Sequence, residues 1–88
     1  MEEKTWAKEL ERDGFGHVLV WEDGPNTRYS EHTHETETAH IILRGEMTLT
    51  MNGQTKIYRV GERCDVPAGE VHSAKMGPKG CRYLIGEK

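Results

Sequence analysis

The sequence has few apolar residues and no long apolar run. Apolar residues make up 34% of its 88 residues, and the longest strictly apolar run is the four residues 18–21. A segment that spans a bilayer needs about 20 such residues, so no membrane-spanning segment is expected. No charged start followed by an apolar stretch resembles a signal peptide, and we therefore expect a cytoplasmic protein.

The chain also lacks an excess of positive charge and has little cysteine. The formal net charge is −3, and no stripe of lysine and arginine is visible, so neither nucleic acid nor a membrane surface is expected as a partner. The two cysteines, Cys64 and Cys81, have the spacing of neither a zinc ribbon nor a CxxC redox motif. We expect both to be reduced, partly buried thiols.

One helix is predicted, at the N-terminus. Trp6 and Leu10 are four residues apart and would share one helix face, and Asp13-Gly14 is a typical helix end. We therefore divide the single domain into residues 1–14, a helix that packs on the remainder, and residues 15–88, which form that remainder.

Short strands separated by turns make up residues 15–88. Met47, Leu49 and Met51 alternate with threonines, and Asn52-Gly53 then favours a two-residue hairpin in which Leu49 faces Lys56. Predicted strands cover residues 17–21, 27–34, 39–43, 47–51, 54–60, 63–66, 72–76 and 81–85. This pattern predicts an all-β fold, a small barrel or sandwich. So short a chain has a thin core, which favours pairing with a second copy, and we expect a homodimer.

Four of the five histidines provide the chemistry. His32 and His34 are two apart, a spacing that places both side chains on one face of a strand. A third imidazole from a facing strand would complete a metal-binding tripod, and His72, directly after a Pro-Ala-Gly-Glu-Val turn, is placed to supply it. A single histidine taken alone is more often a hydrogen-bonding residue than a ligand, so the prediction depends on the three together.

Residues 32–45 and 61–72 resemble the two motifs of the cupin family, in the family's order. The first motif is His-x-His, a spacer, Glu, six residues and Gly, matched here by His32, His34 and Gly45; the second runs from Gly61 through Pro67-Ala-Gly69 to His72. The resemblance implies a small cupin-type β-barrel (a double-stranded β-helix or jelly roll). It also implies one divalent metal ion, Zn, Mn, Fe, Ni or Cu, held by the three histidines.

The sequence departs from the first motif at its carboxylate. Counted back from Gly45, the family's Glu ligand falls on Thr38, while a shifted loop would place Glu37 there instead. His40 has the same strand parity as Thr38, so it should also point inward. His40 or Glu37 is therefore a candidate fourth ligand, and His40 could also serve beside the metal or contact a substrate.

The resemblance implies three classes of function. The first is a small-molecule enzyme of the oxygenase, isomerase or decarboxylase type, in which three protein ligands leave metal positions open. The second is a metal-binding or small-ligand-binding sensor module without turnover. The third is a degenerate cupin scaffold with a weak site, because the carboxylate is missing. An arginine could bind a substrate carboxylate, but the sequence does not select one among Arg28, Arg44, Arg59, Arg63 and Arg82.

Overall fold

The structure, a computed structural model, describes residues 2–88 and begins with the predicted helix. Helix α1 spans Glu2–Arg12, and residue 1 of the predicted helical segment lies outside the described residues. Leu10 on its inner face is completely buried. Gly14 adopts φ +97° just beyond the helix, and the Phe15 N–H donates a hydrogen bond to the Leu10 carbonyl at 3.1 Å. This turn directs Phe15 back under the helix.

Six antiparallel strands follow the helix, which confirms the all-β fold with a single short helix. They are β1 (His17–Asp23), β2 (Arg28–His32), β3 (Thr38–Met51), β4 (Gln54–Arg59), β5 (Arg63–Val66) and β6 (His72–Glu87). No helix within residues 2–88 is long and apolar enough to cross a membrane.

The two long strands, β3 and β6, run through both halves of the barrel. The first part of β6 pairs with β2 and with the second part of β3, as in the pairs His72 with His32 and His72 with Met51. The second part of β6 pairs with β1 and with the first part of β3. One half therefore contains β1 and β5, and the other contains β2 and β4, with an interior between them.

The strand ends predicted at Gly45 and at residues 77–80 are wrong. β3 continues through Gly45 and β6 continues through Gly80, because the two glycines lie against each other as irregularities in the paired strands. Both adopt positive φ, +78° and +81°. A Cβ on Gly45 would collide with the carbonyl oxygen of Gly80. These glycines bend the long strands from one half of the barrel into the other.

The hairpin of β3 and β4 has the predicted register. Met47 pairs with Tyr58, and Leu49 pairs with Lys56. Asn52 and Gly53 have φ of +54° and +73°, the positive values that a two-residue hairpin turn requires.

Apolar side chains form two separate clusters, one on each face of the first part of β3. The inner cluster lies in the barrel interior and includes Ile42, Met47, Val66 and Met76. The outer cluster lies beneath α1 and consists of Leu10, Phe15, Ala39, Ile41 and Leu84, with Trp6 and Val20 packed against it. The helix thus covers an apolar outer face of the sheet that water would otherwise reach.

Arg63 on β5 fastens the helix to the barrel. Its guanidinium donates to Glu9 in the last turns of α1 at 3.1 Å and to Asp13 just beyond the helix at 2.6 Å. It also forms a bidentate pair with Asp65 at 2.7 and 2.9 Å. The Arg63 side chain is only 23% exposed, and its Cζ atom lies 5.6 Å from the Phe15 ring centre. These carboxylates raise the pKa of the guanidinium further above its usual value, with Asp65 contributing most.

Candidate metal centre

Three imidazoles meet at one end of the barrel interior. His32 is the last residue of β2, and His72, its partner across the strands, is the first residue of β6. The prediction that His34 lies within β2 is wrong, because β2 ends at His32. The His34 carbonyl accepts a hydrogen bond from the Gly69 N–H at 2.9 Å, which holds this segment beside the turn before β6. The ring centres are 4.3 to 5.0 Å apart, and one nitrogen from each ring lies within 4.8 Å of the others.

Backbone carbonyls set the tautomer of two of these imidazoles. Nδ1 of His32 lies 2.6 Å from the Ser30 carbonyl oxygen, and Nδ1 of His72 lies 3.0 Å from that of Glu70. A carbonyl oxygen can only accept, so Nδ1 must carry the proton in both rings. Nε2 of each ring is then left with its lone pair, which is the form that ligates a metal.

The surroundings of His34 favour its neutral form. Burial lowers the pKa of His34, and the nearby imidazoles of His72 and His32 lower it further. The Glu87 carboxylate acts in the opposite direction but by less, and no carboxylate within residues 2–88 belongs to the ligand group. Neutral imidazoles with converging nitrogens are the donor set that first-row divalent metals prefer.

The spacing fits one such ion. A metal–nitrogen bond of about 2.0 to 2.1 Å places the nitrogens on one zinc ion about 3 to 4 Å apart. The three nitrogens here are at most 4.8 Å apart, and His32 and His34 are only half-buried, so small side-chain rotations would bring them together. The barrel therefore carries a histidine triad positioned to bind a metal.

His40 lies deeper in the interior and outside the group of three. It is 7% exposed, its ring centre is 5.7 Å from that of Tyr83, and its Nδ1 has no hydrogen-bond partner among residues 2–88. Burial, followed by the nearby imidazoles of His34 and His72, lowers the pKa of His40 to about 4, so this ring is neutral at pH 7. As the strand parity predicted, both His40 and Thr38 are buried.

Neither residue proposed for the family's carboxylate position brings a carboxylate to the triad. Glu37 forms an ion pair with Lys88 at 3.1 Å, partly exposed at the surface. Thr38 is 1% exposed, and its hydroxyl oxygen has no hydrogen-bond partner in the part of the chain that the structure describes. Only His32, His34 and His72 come within ligand distance of one another in residues 2–88.

A cavity of about 270 Å³ extends from the triad into the barrel. Its mouth lies beside Leu19 and Trp21 of β1 and Tyr29 of β2, which are 40%, 52% and 37% exposed. These two strands do not pair with each other, so the interior opens between them. Most of the wall is apolar; it is formed by Leu19, Trp21, Tyr29, Met47, Leu49, Ala74, Met76, Tyr83 and Ile85, with His32, His34, His40, His72 and Glu87 as its polar members.

Asp23 connects the β1 and β2 sides of the cavity mouth by hydrogen bonds. Its carboxylate accepts hydrogen bonds from the hydroxyls of Tyr29 at 2.8 Å and Tyr83 at 2.9 Å, and from the Trp21 indole N–H at 3.1 Å. Burial and the Asp23 carboxylate both raise the pKa of each tyrosine, so the hydroxyls keep their protons. The bond from Tyr29 crosses from β2 to β1.

The residues at the cavity mouth were not predicted from the sequence. Leu19, Trp21 and Asp23 alternate along β1, so their common face could have been read from the period of two. Their proximity to the histidines could not, because it depends on the pairing of β1 with the far end of β6.

Comparison with known families decides the identity of the barrel. The family model for the cupin domain matches residues 19–85. The chain belongs to the cupin family. Both predicted motifs lie inside the matched segment, and the histidine triad is where they meet.

Solved cupin structures share this fold. A cupin-2 domain protein from Shewanella frigidimarina has a TM-score of 0.69 at 21% identity, covering 80% of this chain and 67% of that one. A cupin superfamily protein from Desulfitobacterium hafniense has a TM-score of 0.69 at 20% identity, over 82% and 77%. The DMSP lyase DddQ from Ruegeria pomeroyi has a TM-score of 0.73 at 22% identity, but the match covers 81% of this chain and only 36% of the lyase. Such identities show a common fold alone. No curated protein matches the chain.

Proposed function

We propose that this cupin domain binds one divalent metal ion through His32, His34 and His72 and uses it on a small molecule held in the adjoining cavity. The observation that supports this most strongly is the tautomer of His32 and His72. Each Nδ1 proton is used by a backbone carbonyl, which leaves Nε2 as a metal donor. Three converging imidazoles at the end of an apolar cavity have no comparable structural purpose.

The proposed reaction is of the oxygenase, isomerase or decarboxylase type. A bound divalent metal would supply Lewis acidity or, if it is iron, dioxygen activation at the coordination positions that three protein ligands leave open. The apolar wall would hold the substrate body and exclude water around it. His40, neutral and with an unpartnered Nδ1, is the residue best placed to exchange a hydrogen bond or a proton with a substrate beside the triad.

A sensor or binding module without turnover is the second candidate. The open mouth favours it, because Trp21 and Leu19 at the rim are about half exposed, and a site that excludes water during a reaction is usually covered. A degenerate scaffold with a weak site is the third, favoured because no carboxylate within residues 2–88 joins the three imidazoles in the ligand group. Turnover separates the first two, and metal content separates both from the third.

Elemental analysis of purified, tag-free protein tests the proposal. We expect close to one equivalent of a first-row divalent metal in the unmodified chain, or uptake of added Zn, Mn, Fe, Ni or Cu to that level at micromolar concentration. His72→Ala should lose the metal, while His17→Ala, which changes an exposed histidine at the start of β1 that is not part of the triad, should keep it. Metal-free protein that takes up none of the five ions would refute metal binding.

The sequence-based expectations of a homodimer in the cytoplasm belong to the same proposal. An edge strand, β1, with exposed apolar side chains beside the cavity supports self-association. The two free, buried cysteines, Cys64 and Cys81, are compatible with a reducing compartment.

A further inference from the structure

We infer that the cavity selects a small molecule with an apolar body, a metal-binding head group and no more than one negative charge. The inference rests on the metal binding proposed above and specifies what would bind beside the metal. It depends on three features of the cavity: the apolar wall, the absence of a cationic group, and the use of both tyrosine protons by Asp23.

The wall offers contacts to a hydrocarbon body. Met47, Leu49, Met76 and Ile85 line the interior, and Leu19 and Trp21 extend the same surface to the mouth. A volume of about 270 Å³ accommodates a ring with short substituents beyond the chelating atoms. Each methylene group placed against such a wall contributes about 0.8 kcal/mol, or about a fourfold gain in affinity.

No cation is available to a second acidic group. None of the lysines or arginines in residues 2–88 lines the cavity. Three of the five arginines that could have bound a substrate carboxylate instead pair with carboxylates outside the cavity. The pairs are Arg44 with Glu22, Arg82 with Glu3 and Glu22, and Arg63 with Glu9, Asp13 and Asp65. Within residues 2–88, the only charged side chain in the wall is Glu87, which would repel an anion.

The polar groups of the wall do not compensate for the lack of a cation in the cavity. The hydroxyls of Tyr29 and Tyr83 both donate to Asp23, so neither has a proton left for a ligand carboxylate. The Asp23 carboxylate behind them adds negative charge to that side. A metal with neutral imidazole ligands can neutralise a single anionic chelator, but a further carboxylate would meet no cation in a wall whose only charged side chain within residues 2–88 is Glu87.

Two matched pairs of chelators test the inference on protein first shown to take up nickel or zinc. Acetylacetone and malonate form the same six-membered chelate but carry one and two negative charges. Tropolone and 4-isopropyltropolone share one chelating head and differ only in apolar bulk. Dissociation constants come from calorimetry, with the fluorescence of Trp21 as a second signal of occupancy.

We expect acetylacetone to bind at least tenfold tighter than malonate, and the isopropyl group to improve tropolone binding at least tenfold, from three added carbons at about 0.8 kcal/mol each. Leu19→Lys places a cation at the partly exposed rim and should shift the acetylacetone-to-malonate ratio at least fivefold toward malonate. Ile57→Lys, at an equally exposed apolar position on β4 outside the cavity, should leave the ratio unchanged.

The outcomes separate the two proposals. Failure to take up any metal would refute metal binding and this inference with it. If the protein takes up metal, any one of three results would overturn the inference alone and leave metal binding established. These are malonate binding as tight as that of acetylacetone, no gain in affinity from the isopropyl group, and the same acetylacetone-to-malonate ratio in Leu19→Lys as in Ile57→Lys.

Discussion

His40 should make this small barrel sensitive to mild acid. Its pKa falls to about 4 in the folded state, mainly through burial, against an ordinary value of 6.5. Between these pH values His40 binds a proton in the unfolded chain but not in the folded chain, so the free energy of unfolding decreases as the pH falls. The contribution is complete above pH 6.5 and is fully lost below about pH 4.

The size of the effect follows from that shift. A difference of about 2.5 pKa units corresponds to roughly 3 kcal/mol over the whole window, of which roughly 2 kcal/mol should be lost between pH 7 and pH 5. A domain of this size has a total stability near the low end of about 5 to 15 kcal/mol, so the loss is a large fraction.

Urea unfolding of metal-free protein in the presence of a chelator, at pH 7 and pH 5, measures this loss. His40→Gln keeps a polar side chain of similar volume but cannot titrate, so its stability should fall by roughly 2 kcal/mol less than that of the unmodified chain over the same interval. Carboxylates that titrate near pH 5 affect both proteins equally and cancel in the comparison.

His17→Gln is the matched control, since His17 is an exposed histidine with a side chain that is 75% exposed. It should lose as much stability as the unmodified chain. If His40→Gln also loses as much, the buried ring is not the source of acid sensitivity, and our account of its surroundings is wrong.

Three further predictions concern the scaffold. Arg63→Met should lower the free energy of unfolding by about 1 to 2 kcal/mol, because it releases α1 from β5, whereas Arg44→Met, which breaks an exposed pair, should cost less than about 0.5 kcal/mol; urea unfolding would contradict the assignment if the two were equal. Gly45→Ala should cost about 3 kcal/mol, since it adds a collision with Gly80 to an unfavourable φ, and Gly53→Ala, with open space around it, only about 1 to 2 kcal/mol; equal losses in thermal unfolding would refute the close approach. Light scattering should find a homodimer, and a 10.0 kDa species at micromolar concentration would exclude it.

Local signals in the sequence predicted the elements that depend on near neighbours. The Asn52-Gly53 hairpin and its register are correct because both turn residues tolerate positive φ and the strands beside them alternate. The helix, with Leu10 on its buried face, is correct for the same kind of reason. The meeting of His32, His34 and His72 was expected from their positions in the two cupin motifs, whereas the strand spacing alone does not explain it, because His34 lies beyond the end of β2.

Long-range pairing determined what the sequence analysis missed. Gly77-Pro78-Lys79-Gly80 has the composition of a turn, yet it lies within β6 because Gly80 packs against Gly45 of a distant strand. Ala39 and Ile41 are buried on the face opposite His40 because α1 covers them, which alternation along the strand could not reveal. The Asp23 cluster at the mouth depends equally on contacts between residues far apart in the chain.

The passage of β3 and β6 through both halves of the barrel has a consequence for folding kinetics. Thr38 pairs with Glu87 at one end of these strands and Met51 pairs with His72 at the other, so neither half can close before distant parts of the chain meet. Only α1 and the β3–β4 hairpin can form from local contacts. Loop closure must precede most of the stabilising pairs, which predicts refolding in milliseconds to seconds, slow for 88 residues, as stopped-flow fluorescence of the two tryptophans would measure.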